Sequence, residues 1–225
     1  MLFDLRSRGR RRTVQTVYLG LALLMGGGLV LFGVGAGNGV GGLLNAFTGG
    51  GSNNQSVVVS QQEKQALRQT RLNPTDPSGW ASLVQARWTS AGQGSNYNTA
   101  TSSFTASGKQ ELAKMEQAWN RYLQLTKTPD PNTAILAARG LAQIGNFVGA
   151  ANAWEISAAG DPSSPRGYEC LAASAYAAGQ TRKGDLATAR ALTLVPKLQR
   201  TTTRKALASA KTSSQTAQGI AQQQC

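Results

Sequence analysis

Residues 130–162 read DPNTAILAARGLAQIGNFVGAANAWEISAAGDP, and this stretch decides the fold. Asp130-Pro131 is a helix start: the acid at the N-cap accepts a free backbone N–H, and proline at the first helical position loses nothing, because that N–H has no partner there anyway. The spacing predicts a helix to about Ile144, a turn at Gly145-Asn146, and a second helix from Phe147 to Ala159. Gly160-Asp161-Pro162 stops it. Two helices joined by so short a turn form a hairpin. Such a hairpin buries its face only when neighbours stack on it.

The pattern recurs on both sides. Downstream, Ser164-Pro165 opens a helix to about Ala178, Gly179-Gln180 turns it, and a partner runs from about Thr181 to Val195 before Pro196. Upstream, Asp76-Pro77 opens a helix with Trp80, Leu83, Val84 and Arg87 on one face, closed by Gly92. Residues 92–106 form a polar loop. The next helix, from about Ser107, carries Leu112, Met115, Trp119, Tyr122 and Leu123, and ends before Thr128. Asp76-Pro77, Asp130-Pro131 and Asp161-Pro162 each precede a helix pair. The predicted units are about 76–129, 130–161 and 162–196. Ahead of them, Ser60-Gln-Gln-Glu63 is a capping box for a short helix to about Leu72, which Asn73-Pro74 ends. The repeat domain is therefore placed at 60–196.

These positions resemble a degenerate tetratricopeptide-repeat array of about three units. The second unit fits on its second helix, with Ala150, Trp154, Ser157 and Pro162; its first helix has Ala134, Ala137, Ala138 and Leu141. The first unit offers Trp80, Leu83, Val84 and Arg87, then Ala118, Tyr122 and Leu125. The third offers Tyr168, Leu171, Ala172 and Ala175, then Ala187, Ala191 and Leu194. The resemblance implies an all-α solenoid of stacked hairpins that binds a peptide in a groove lined by the first helices. Mapped by repeat position, that groove shows Gln85, Trp88, Arg139, Gln143, Arg166, Glu169 and Tyr176. Arg139 and Arg166 suit carboxylates of an acidic segment or chain terminus, or are solvated surface arginines. Trp88 either anchors a partner or packs under the polar loop. An Ala-rich helical bundle is the plainer alternative to the array.

Val14–Ala36, VQTVYLGLALLMGGGLVLFGVGA, carries no charge. At about 1.5 Å per residue it crosses a hydrocarbon core roughly 30 Å thick, and in lipid it must be helical. Arg6, Arg8, Arg10, Arg11 and Arg12 precede it, so residues 1–13 are expected in the cytoplasm and the bulk of the chain outside, anchored by a single pass in the plasma membrane. A cleaved signal peptide competes with this reading, but its apolar core is usually shorter and a clean A-x-A site is missing after Phe32. Ala22/Gly26 and Gly33/Gly37 are small pairs four residues apart that suit self-association of the span; glycine is also simply common in membrane helices. Residues 37–59 form a Gly/Asn/Ser-rich linker. Gly37-x-Gly39-x-x-Gly42 lacks the strand–turn–helix context of a dinucleotide site.

The chain has 225 residues, no histidine and a formal charge of +13. Lacking histidine, it has no Ser-His-Asp or Cys-His catalysis and no HExxH zinc site. Two cysteines make neither a zinc cluster nor a CxxC pair. No catalytic residue, cofactor or metal is expected, and the chain is not read as an enzyme. Cys170 is a buried inert thiol, or one half of a disulfide with Cys225 that ties the tail to the third unit; a bridge to another molecule through Cys225 is the third option. Residues 197–225 are read as a basic, solvated capping helix to about Ala210 and then a fraying, Gln-rich tail. From residue 181 onward, eight Lys/Arg face one acid, Asp185. With no interleaved aromatics, this stretch points to anionic wall polymer or lipid headgroups rather than nucleic acid. The expected function is a membrane-anchored extracytoplasmic scaffold for an unidentified protein or peptide partner, assisting protein export or envelope assembly. The alternative is a structural envelope protein whose basic ectodomain binds anionic polymer or lipid.

Overall fold

The structure is a computed structural model and describes residues 53–225, with side chains considered from residue 61 onward. The expected basic end 1–13, membrane helix 14–36 and linker as far as residue 52 lie outside the described residues. Among the described residues no helix is long and apolar enough to cross a membrane.

Nine α-helices follow in order among the described residues: α1 Asn53–Leu72, α2 Pro77–Ala91, α3 Ala106–Leu125, α4 Pro131–Gln143, α5 Phe147–Gly160, α6 Pro165–Ala177, α7 Thr181–Leu194, α8 Arg200–Thr212 and α9 Ser214–Gln223. The helix starts follow the expected chemistry. Asp130 Oδ2 accepts the Thr133 N–H at 2.7 Å, Asp76 Oδ1 accepts the Ser78 N–H at 2.9 Å, and a proline holds the first position of α2, α4 and α6. Asp161-Pro162 does not open a helix. Asp161 Oδ1 instead takes the Ser163 N–H in a turn, and α6 begins at Pro165.

The helix ends are as regular. Gly145 and Gly179 take φ of +82° and +72°, left-handed values that glycine adopts without a Cβ clash. After each, the next N–H reaches back over the helix end: Asn146 to the Leu141 carbonyl at 2.9 Å, Gln180 to the Ala175 carbonyl at 2.8 Å. This is the 6→1 bond of a Schellman ending. Helices α4–α5 and α6–α7 thus share one design, with Pro131 matched to Pro165 and Phe147 to Thr181, an offset of 34 residues in both cases. The Asp130-Pro131 and Asp161-Pro162 pairs stand 31 residues apart, but the second lies in the turn ahead of α6, so the repeat is counted between Pro131 and Pro165.

Helices pack in sequence-adjacent pairs, α2 on α3, α4 on α5 and α6 on α7, and the pairs join through α3–α4 and α5–α6. Small residues permit this. Ala134, Ala137, Ala138, Ala150, Ala151, Ala172, Ala173 and Ala175 are fully buried or nearly so, and a Cβ on Gly140 would fall 2.4 Å from Met115 Cε. Leu112, Met115, Trp119, Leu141 and Trp154 fill the space left between.

Three expectations change in the first pair and at the tail. Helix α1 begins at Asn53, so Ser60 lies inside it and the capping box does not form. The loop at 92–106 holds a short antiparallel hairpin, Tyr97–Asn98 with Ser103–Phe104. The Gln-rich tail is helix α9, packed on α4, α6 and α8.

Arg87 on α2 ties α1 and α3 together. It pairs with Glu63 of α1 at 3.0 Å and with Glu111 of α3, and all three side chains are 20% exposed or less. Burial pushes the Glu111 carboxyl up, but hydrogen bonds from Lys114 and Arg87 outweigh it and hold it below the ordinary carboxylate value. With the folded pKa depressed, this contribution is present above the unfolded value of about 4.3 and is lost as pH falls through the folded one. Arg87→Ala leaves Glu63 unpaired and Glu111 with Lys114 alone, and is expected to lower the unfolding free energy by about 3 kcal/mol at neutral pH. The gap from wild type should narrow in urea titrations below about pH 4. A gap of the same size at both pH values would show that packing, not charge, is what Arg87 supplies.

Candidate functional site

The inner face of α4 and α6 is filled by the chain's own C-terminal helix. The last four carbonyls of any helix lack intrahelical partners. In α9 and the two residues after it, side chains of the facing helices supply them. Gln143 Nε2 on α4 donates to the Gln222 carbonyl at 2.6 Å. Arg139 Nε, also on α4, donates to the Cys225 carbonyl at 2.8 Å. Arg166 Nη2 on α6 donates to the Gln224 carbonyl at 2.6 Å. In return Gln222 Nε2 donates to the Ala142 carbonyl, at the end of α4, at 3.0 Å. One helix end thus completes the other.

Both ends of α9 are fixed. Cys225 is bonded to Cys170 on α6, with Cα atoms 5.6 Å apart and 55 residues between them in sequence. At the other end Ser213 alone separates α8 from α9. Its hydroxyl accepts the Thr216 N–H at 3.2 Å as the N-cap of α9. The apolar contact of α9 is slight: Ala217 and Ala221 are buried and Ile220 is half-buried. A buried methyl contributes about 1 kcal/mol, and an isolated helix of this length is marginal in water. The covalent bond and the hydrogen bonds therefore hold the segment in place more than its burial does.

Arg139 and Arg166 pair with no Asp or Glu side chain among the described residues. Burial, and then the neighbouring Arg166 guanidinium, push the Arg139 pKa below its ordinary value. The negative end of the α9 dipole, worth about half a charge, is what the two cations face.

Of the seven residues expected in a groove, three, Arg139, Gln143 and Arg166, meet at this seat, which is occupied rather than open. Glu169 faces the capping region, where Thr203 Oγ1 of α8 donates to it at 3.3 Å. Tyr176 turns to α7: its hydroxyl donates to Asp185 Oδ1 at 2.9 Å and its ring lies on Gly184. Gln85 lines a recess against α1, beside Gln62 and Gln69. Trp88 packs on Phe104 of the small hairpin, ring centres 5.9 Å apart, and Phe104 packs on Tyr97 at 5.2 Å. Sequence reasoning missed the other half of the seat, Ala217, Ala221 and the main chain of residues 222–225. The signals were the Cys170–Cys225 bond, one of the three options open for the cysteines and the one the structure contains, and two alanines four residues apart.

The chain matches no family model, no curated protein and no solved structure. The geometry must therefore stand by itself. A second concavity, of about 760 Å³, lies between α5, α6 and α7, with Ala158, Leu171, Leu186 and Ala187 among its walls. The Lys183–Glu155 pair, 2.8 Å apart, belongs to its rim. It offers apolar contact, with Tyr168 in its wall and Glu155, Arg182 and Lys183 at its margin. Among the described residues no group of His, Cys, Asp and Glu is placed to hold a metal ion.

The Cys170–Cys225 bond closes a long loop, for which chain entropy gives a stabilisation of about 4 kcal/mol. Oxidised wild type is expected to exceed Cys225→Ser by roughly 2–4 kcal/mol in urea titration. A difference under about 1 kcal/mol would show that the cross-linked segment does not unfold together with the rest.

Proposed function

We propose that this chain is a membrane-anchored scaffold of tetratricopeptide-like helical repeats, exposed outside the cytoplasm, whose inner groove holds a helical segment of a partner protein in the service of protein export or envelope assembly. One observation carries the reading: the groove already holds a helix. Arg139, Gln143 and Arg166 grip α9 through main-chain carbonyls, which is how a surface grips a helix without demanding particular side chains.

Other features support parts of it. The 34-residue offset between the α4–α5 and α6–α7 pairs is the length of a tetratricopeptide unit. A disulfide suits an oxidising compartment. Arginines ahead of the apolar stretch 14–36 favour the same side of the membrane for the bulk of the chain.

A second reading has its own observation. Lys197, Arg204 and Lys205 are exposed around the α7–α8 turn, where Leu198 is 97% exposed. Such a basic edge with an apolar tip suits anionic polymer or lipid headgroups.

A photo-reactive residue at the exposed Asn132, which lines the same recess as Arg139 and Arg166, separates the two in cells. The scaffold reading expects one crosslinked protein that persists at high salt, where charge is screened within about 3 Å. Absence of any protein adduct, with the chain retained on anionic material only at low salt, would favour the second. Protease protection that places the C-terminus in the cytoplasm would overturn both.

A further inference from the structure

The hold on α9 is divided between a covalent bond and contacts that another helix could make. Arg139, Gln143 and Arg166 bond only to carbonyls of residues 222, 224 and 225. The buried face of α9 is Ala217 and Ala221, four residues apart. Apart from the Gln222 side chain, which donates to the Ala142 carbonyl, these contacts use main-chain oxygens, one in the last turn of α9 and two just past it. Any small-faced helix whose chain runs on for two residues past its last turn presents the same main-chain groups. What is particular to α9 is the bond from Cys225 to Cys170.

The two sulfurs are not equally accessible. Cys170 is 2% exposed within the α6 contact surface, whereas Cys225 is half-buried at the groove margin. Both cysteines line a recess of about 240 Å³ together with Arg166, Glu169 and Gln224. A thiolate entering it reaches the less buried residue, Cys225, more readily, and which sulfur is attacked depends on such access. Arg166, whose guanidinium lies at the neighbouring carbonyls, favours the approach of a negative group.

Resting on the groove reading above, we propose that the seat on α4 and α6 is a receptor for the C-terminal turn of a small-faced helix from another protein, and that the Cys170–Cys225 bond keeps it closed by retaining α9. A dithiol, from an oxidoreductase or a small molecule, opens it. One thiolate attacks Cys225 Sγ, the bond to Cys170 Sγ breaks, and Cys170 leaves as a thiolate that takes up a proton. The second thiol of the reductant, as its thiolate, then displaces Cys225. Two electrons and two protons pass to the protein, and the reductant departs as a disulfide. With that end free, α9 stays attached only through Ser213, and a partner helix competes for the vacated groove.

The test uses the full chain in detergent and a fluorescent peptide of residues 213–225 carrying Cys225→Ser, which keeps the main-chain oxygen that Arg139 holds and stands in for the partner class. Peptide binding and amide hydrogen exchange across 214–223 are read in parallel. Oxidised wild type is expected to bind at least about tenfold more weakly than the dithiol-reduced protein or Cys225→Ser, because the retained segment competes at high local concentration. Exchange across 214–223 should be slow only in the oxidised protein. Arg139→Ala with Arg166→Ala, added to Cys225→Ser, should abolish binding. Equal binding before and after reduction, or an α9 still protected after reduction, overturns the latch and leaves the groove reading in place. An α9 that is released while no peptide binds overturns the groove reading as well. Loss of the far-ultraviolet helical signal on reduction also overturns the latch, since it must open without unfolding the helices.

Discussion

Every helix leaves backbone groups without partners at its two ends, and the nine helices of the described residues meet this cost repeatedly. The described residues show a different solution at each kind of end. Asp76 and Asp130 close N-termini with a carboxylate, Thr105, Asn146 and Ser213 with a neutral oxygen. Gly145 and Gly179 close C-termini by folding the chain back over the last carbonyls. The end of α9 has no such reversal. Its carbonyls go to Arg139, Gln143 and Arg166, and so the last helix end is closed by tertiary structure. The same constraint that punctuates the repeats thus also creates the seat.

Satisfying ends would not suffice if the helices could not approach. The buried surface is mostly alanine, with glycine where a large side chain needs the room, as at Gly140 beneath Met115 and Gly184 beneath the Tyr176 ring. Small residues bring little apolar area each, so close contact must extend along whole helices before it adds up. That explains the pairing of helices next to one another in sequence, which maximises such contact at low entropic cost of closure. It also explains why α9, ten residues long and faced by two alanines, needs a covalent bond where the longer pairs do not.

These two constraints separate what was legible in the sequence from what was not. Helix starts at Asp76-Pro77, Asp130-Pro131 and Ser164-Pro165, and turns at Gly145 and Gly179, are written in residues whose backbone preferences act locally. They appear where local chemistry places them. Asp161-Pro162 shows the limit, since an acid followed by proline serves a turn as well as a helix. Side-chain direction was less legible. Tyr176 was assigned to the groove by its repeat position, yet Gly184 on α7 opens a space for its ring, and Asp185 and Thr188 supply partners for its hydroxyl. Trp88 is drawn under Phe104 by a hairpin only two residues wide on each strand. Helix α9 was the least legible. Alanine and glutamine carry almost no amphipathic contrast, and the partners that order the segment lie about 80 residues away.

The charge at the seat points to what it would hold best. Two guanidiniums face the main-chain oxygens of Gln224 and Cys225 and the partial negative charge of a helix end, about half a unit. Desolvation and mutual repulsion already disfavour the charged state of Arg139. Gln143 grips the same segment with an amide donor at 2.6 Å, beside the half-buried Arg139 and the exposed Arg166. Two arginines offer several donors each in a rigid fork, so their hold on a helix end tolerates small changes in where that end lies.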